Sequence, residues 1–191
     1  DGGYIMVTTS ITLSSAARDT EVIKLDKDGE LDATFTDGNL EITGSDIGVF
    51  VQERSEDGYI VVGNTQVSGR QLDAYVNTVS RTGVASTAVT FGQALDDEVY
   101  CVRQTRDGGY VFVGSQYTSD AQADVWVVKL TPALTLDWQA TFGGEQNDIG
   151  TSISQTDDGG YIVTGSTNSY GMQSEIILLK LGSDGRVDDI I

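Results

Sequence analysis

The sequence predicts an all-β fold, a β-propeller built from four tandem four-stranded blade repeats of about 51 residues with the last blade incomplete. Three observations predict it. A phrase occurs four times, as "DGGYIMVTTS" at Asp1, "DGYIVVGNTQ" at Asp57, "DGGYVFVGSQ" at Asp107 and "DGGYIVTGST" at Asp158. Its tyrosines, Tyr4, Tyr59, Tyr110 and Tyr161, are spaced 55, 51 and 51 residues apart. Further signals keep the same phase. An acidic residue opens an apolar run at Asp19 ("DTEVIKL"), Asp73 ("DAYVNTV"), Asp124 ("DVWVVKL") and Glu175 ("EIILLKL"), with a Lys near its end except at Thr78. "ATF", "VTF" and "ATF" end at Phe35, Phe91 and Phe142, and an Asp stands thirteen residues before the phrase Tyr at Asp46, Asp97 and Asp148. The third observation is local: the unit contains no amphipathic helix, only short runs with strand character.

Each element follows from its residues. "YVFVGSQ" (Tyr110 to Gln116) is rich in the β-branched and aromatic types that suit a pleated surface. The loop "YTSDAQA" leads to "DVWVVKL", apolar at successive positions and so expected to be buried on both faces. "TPALT" is a turn, standing where other copies carry the hairpin signals "DKDG" and "GSDG". "LDWQATF" alternates, with Leu136, Trp138 and Ala140 on one face and Asp137, Gln139 and Thr141 on the other. "GGEQN" is a loop, "DIGTSISQT" (Asp148 to Thr156) is a strand, and "DDGG" turns the chain into the next Tyr. The units run about 1–56, 57–106, 107–157 and 158–191 within a single propeller over 1–191. A lone blade buries little and is stabilised by packing on its neighbours. An open β-solenoid is the competing architecture, but its rungs are usually shorter than fifty residues.

The chain starts within a turn phrase and stops at "VDDII", giving about fifteen expected strands, one short of four blades. Three readings stay open: part of a longer protein with more blades, a compact ring with one incomplete blade, or an open edge that pairs with a neighbouring molecule.

"DWQATFGGEQNDIGTSISQTDDGGYIVTGSTNSYG" (Asp137 to Gly171), followed by "EIILLKLGSDG", resembles the β-propeller repeats of secreted and cell-surface bacterial and archaeal proteins. The resemblance covers essentially the whole chain, is strongest over 97–185 and is weakest in the first unit, where "VTTS" and "TDGNLEITG" depart from the pattern. It implies an extracellular display or binding scaffold and no shared catalytic motif.

Composition narrows the functions. With 29 acidic and 11 basic residues the net charge is −18, which disfavours nucleic acid and anionic membrane surfaces. No apolar run approaches a membrane span, none exceeding the four residues of "IILL". Cys101 is the only cysteine and there is no His, so no intrachain disulfide, Ser–His–Asp or Cys–His nucleophile, or His-based zinc site can be assembled.

Candidate sites divide into weak chemical and strong structural readings. Asp19, Asp73, Asp124 and Glu175, and equally Asp46, Asp97 and Asp148, are either metal ligands or hydrogen-bond acceptors at the strand starts; repetition in every unit favours acceptors. "LDKDGELD" (Leu25 to Asp32) has the clustered oxygens that calcium prefers but the wrong Gly and Glu spacing, and reads as an Asp-Gly turn. The glycines of "DDGG" and "TFGG" fit no phosphate loop, and Asp157–Asp158, Asp96–Asp97 and Asp188–Asp189 read as solvated turn acids rather than glycosidase pairs. Trp126 and Trp138 read as core. Tyr117 and Tyr170, taken to lie in matching loops of two units, are the only residues nominated for ligand contact. No catalytic, cofactor-binding or metal residue is assigned. The expected function is a non-enzymatic structural, adhesive or binding scaffold outside a microbial cell, with protein partners or self-association through an exposed strand edge. The alternative is a carbohydrate-binding or carbohydrate-cleaving propeller.

Overall fold

Short β-branched and aromatic runs separated by Asp and Gly turns pair with their sequence neighbours, so the chain folds as successive antiparallel hairpins. The computed structural model describes all residues except 1, 12–16, 36–37, 39, 41, 43, 56, 67–70, 119–121, 171–172 and 191, together with the side chains of 189 and 190. The described residues form fourteen strands in four antiparallel sheets of two to four strands, with no helix and no sheet closed on itself. They divide into two compact units, Asp1–Phe91 and Gly92–Ile191.

The first unit holds sheet I, β1 (Tyr4–Ile11) and β2 (Arg18–Leu25). It also holds sheet II, β3 (Ser45–Glu53), β4 (Tyr59–Gln66), β5 (Leu72–Val79) and β6 (Val89–Phe91), paired in sequence order. The second unit holds sheet III, β7 (Asp97–Gln104), β8 (Tyr110–Tyr117), β9 (Ala123–Leu130) and β10 (Leu136–Phe142). Sheet IV follows as β11 (Asp148–Gln155), β12 (Tyr161–Thr167), β13 (Glu175–Leu181) and β14 (Val187–Ile190). The phrase strands are therefore β1, β4, β8 and β12.

The turns repeat as closely as the strands. After each acidic run the chain pairs a residue with the one six positions on: Leu25 with Leu31, Val79 with Ala85, Leu130 with Leu136, and Leu181 with Val187. The same backbone bonds close each turn, as when Thr131 N–H donates to Thr135 O (2.9 Å) and Leu134 N–H to Thr131 O (3.0 Å). The residue before the last turn position is left-handed: Gly29, Gly83, Leu134 and Gly185 have φ of 85°, 94°, 61° and 77°. Leu134 is the only non-glycine with positive φ among the described residues. In the first strand of sheets II, III and IV a bulge falls at the same place, between Gly48 and Phe50, Val99 and Cys101, and Gly150 and Ser152.

Sheet I departs from the repeat. The sequence expects an outer strand ending at Phe35, matching Phe91 and Phe142. Instead Asp32 starts a turn, accepting the Thr34 N–H at 2.9 Å and the Thr34 hydroxyl at 2.6 Å through Oδ1. The chain then returns to β2, where Val22 N–H donates to Gly38 O (2.7 Å) and Leu40 N–H to Thr20 O (3.1 Å). Thr20 holds the position of Ala74 and Val125, which face Phe91 and Phe142. Leu40, 1% exposed, therefore takes the place expected for Phe35. The cause is an insertion. Leu25 to Leu40 is 40−25 = 15 residues, while 91−79 = 12 and 142−130 = 12 separate the matching pairs. This accounts for fourteen strands against about fifteen expected.

Within each unit the two sheets stack face to face. In the first, Tyr59, Val61, Tyr75 and Val79 of sheet II pack with Val22, Ile5 and Val7 of sheet I. In the second, Tyr161 of sheet IV meets Trp138 of sheet III edge-on, centroids 5.7 Å apart. Burial of each such large side chain contributes about 1.5–3 kcal/mol.

Candidate functional site

The phrase strands differ in one respect. β4, β8 and β12 each have a hydrogen-bonded neighbour on both edges, while β1 pairs only with β2 among the described residues. In the other three sheets that second neighbour is β3, β7 or β11. The side chains of β1 also differ in exposure from their counterparts. Tyr4 is 60% exposed, whereas Tyr59, Tyr110 and Tyr161 are 4%, 0% and 2% exposed. Met6 and Ile11 are exposed as well. A strand with an open edge and apolar side chains is a template for pairing.

A second feature is electrostatic. In sheets III and IV the lysine near the end of the acidic run folds back onto the phrase aspartate 22 residues earlier in sequence. Lys129 Nζ lies 2.9 Å from Asp107 and also donates to Leu130 O at 3.0 Å. Lys180 Nζ lies 2.9 Å from Asp158 and donates to the Thr156 hydroxyl at 3.2 Å. Burial opposes the Asp107 charge, but the Thr105 hydroxyl, the Lys129 ammonium and the Gly109 N–H outweigh it and hold the carboxyl at about 2. In sheet II, where Thr78 replaces the lysine, Arg81 in the next turn bonds Asp57 and Glu53 at 2.9 Å each. The equal separation of Lys and Asp in two of the units is a sequence signal that could have revealed this pairing, whereas Lys24 in sheet I pairs with Asp32 instead.

The aspartates before the phrase are buried acceptors. Asp46 accepts the Thr20 N–H (2.7 Å), Asp97 the Gln93 N–H, and Asp148 both the Gly144 N–H (2.9 Å) and the Ser169 hydroxyl (2.6 Å). Burial raises the pKa of Asp46. Gly143 threads between two carboxylates: a Cβ there would stand 2.1 Å from Asp124 Oδ1 and 2.8 Å from Asp148 Oδ2. Burial and then the Asp148 charge raise the pKa of Asp124. Among the described residues no group of three or more His, Cys, Asp or Glu is placed to hold a metal. The "LDKDGELD" turn is closed by Asp26, which accepts the N–H groups of Asp28 (2.9 Å) and Glu30 (3.0 Å).

The two nominated tyrosines are not a matched pair. Tyr117 ends β8, is half-buried, and its N–H donates to Asp96 O at 3.0 Å. Its counterpart 51 residues on is Asn168. Tyr170 lies beyond β12, is 53% exposed, and its hydroxyl donates to Gly143 O at 3.1 Å. The counterpart of Tyr170 lies outside the described residues, as does part of the loop after Tyr117. Trp126 is buried, with its ring N–H donated to Gln139 at 3.2 Å, and Trp138 packs on Tyr161, so both indoles are used internally. Cys101 is buried. No family model and no curated protein matches the chain.

Proposed function

We propose that the chain is an open run of propeller-type blades that acts as a non-enzymatic structural, adhesive or binding scaffold outside a microbial cell. The observation that carries the reading is the single-sided pairing of β1 among the described residues, set against phrase strands paired on both edges in the other three sheets. Sheet order supports the propeller reading: each four-stranded sheet runs in sequence order, as the blade of a propeller does. The acidic surface supports a role among proteins or glycans rather than nucleic acids. A scaffold of this kind works by giving partners a strand edge, where main-chain bonds supply affinity and alternate side chains supply selectivity.

The test uses the strand that sheet IV places beside β12. A labelled peptide of residues 148–156 is titrated against the chain, and its anisotropy and the hydrogen exchange of β1 are followed. Saturable binding with slowed exchange confined to residues 4–11 is expected. No binding at millimolar peptide contradicts the edge-pairing reading.

A further inference from the structure

Asp148, at the start of β11, is fully buried. Its Oδ2 is held by the Gly144 N–H (2.9 Å) and the Ser169 hydroxyl (2.6 Å). Its Oδ1 is buried with no hydrogen-bond partner among the described residues. A bare buried carboxylate oxygen is costly, so a group other than these side chains has to compensate it. Asp124, the second residue of β9, lies beside it and is half-buried. Burial and the Asp148 charge are what act on Asp124, so no cation or donor of the chain stands beside its carboxylate among the described residues.

Gly143 keeps the space between the two carboxylates open. A Cβ built on it would stand 2.1 Å from Asp124 Oδ1 and 2.8 Å from Asp148 Oδ2. Both carboxylates thus reach one point, and no side chain of residue 143 fills it. Like charges held this close repel unless a cation or a proton lies between them. The net charge of −18 draws cations to the surface. The donors are carboxylate oxygens, which suit a hard cation rather than zinc or copper. The first unit differs. There Leu40 takes the position of Phe142, and the next residue is Glu41, so the glycine is not repeated ahead of Asp46.

We infer that Asp124 and Asp148 bind a divalent cation of the calcium type beside Gly143, clamping the start of β9 in sheet III to the start of β11 in sheet IV. Asp148 Oδ1 and the Asp124 carboxylate supply the protein oxygens, and water completes the shell through the half-exposed side of Asp124. Two carboxylates on a solvent-accessible site place the affinity in the range of weak calcium modules, about 0.1–1 mM. The site lies wholly within the second unit. It goes beyond the scaffold reading and does not involve the edge of β1.

The experiment strips the full chain with EDTA and titrates it with calcium chloride at constant ionic strength, read by calorimetry and by thermal melting. Saturable binding is expected, with Tm raised by about 3–10 °C at about 10 mM calcium. Asp124→Asn removes a carboxylate with no other partner and relieves its repulsion with Asp148. The stripped variant is therefore expected to melt at or above the stripped wild type, while its calcium affinity falls by about tenfold or more. Asp137→Asn removes the same charge from an exposed site at the other end of β10 and is expected to keep the wild-type response. No heat of binding and an unchanged Tm in wild type overturn the inference. So do equal losses in Asp124→Asn and Asp137→Asn, which would reduce the effect to screening of the net charge. A stripped Asp124→Asn that melts well below wild type also contradicts it, since the carboxylate would then serve the fold without a cation.

Discussion

Lys129 is 3% exposed, and its ammonium lies 2.9 Å from the carboxylate of Asp107 across the hairpin that joins two sequence signals of the repeat. Leaving a buried ammonium without its carboxylate is costly, although the 60% exposure of Asp107 lets water take up part of the loss. Asp107→Asn is expected to cost about 1–2 kcal/mol at neutral pH, read from urea unfolding midpoints. The Asp107 pKa is lowered on folding, so its contribution is full above the unfolded value of about 4 and fades as pH falls toward about 2. Wild type should lose stability over that window more steeply than Asp107→Asn. Parallel curves would remove the ion pair from the account.

Leu134 occupies, at φ 61°, the left-handed position that glycine fills in the other three copies of the turn. A Cβ in that region costs about 1–2 kcal/mol, part of which glycine gives back through the greater freedom of its unfolded chain. Leu134→Gly is therefore expected to stabilise by about 0.5–1 kcal/mol, raising Tm by about 2–4 °C. Gly29→Leu in the equivalent turn should act in the opposite direction. A fall in Tm for Leu134→Gly would show that the leucine side chain matters more than its backbone.

Gly150 lets β11 approach sheet III closely, since a methyl there would overlap Val113 and Val125. Gly150→Ala is expected to destabilise by about 1–3 kcal/mol, the usual range for overpacking. Adding Val113→Ala should recover part of that loss, and a double-mutant cycle measures the coupling. Strict additivity would show that the two sites do not meet.

Tyr161 and Tyr4 hold the same place in the phrase, 2% and 60% exposed. Tyr161→Ala is expected to cost about 3–5 kcal/mol, while Tyr4→Ala should stay within about 0.5 kcal/mol for the dilute chain. Equal costs in chemical denaturation would mean that Tyr4 is buried in the isolated chain.

The strands were legible because a fifty-residue repeat lets four copies vote on each position, and hairpins need only local pairing. β9 reads as buried on both faces, and Trp126 in it is buried. The tripeptide "ATF" at Phe35 misled because the match was local, while the position on β2 is set by the backbone bonds of Gly38 and Leu40 after a three-residue insertion. Tyr117 and Tyr170 looked equivalent because both come shortly after a phrase Tyr, but they differ by two residues in phase, and Tyr117 is the last residue of β8. The Lys–Asp pairs needed the hairpin to bring their ends together. Exposure has no local signature, since Tyr4 and Tyr161 sit in nearly the same words and yet are 60% and 2% exposed.

Hydrogen exchange across β1, β4, β8 and β12 at two protein concentrations tests the central claim, that β1 keeps one edge open for pairing. In dilute solution the outward amides of residues 4–11 should exchange about 100-fold faster than those of the other phrase strands, and should slow as the chain is concentrated. Equal, concentration-independent protection of all four strands would contradict it.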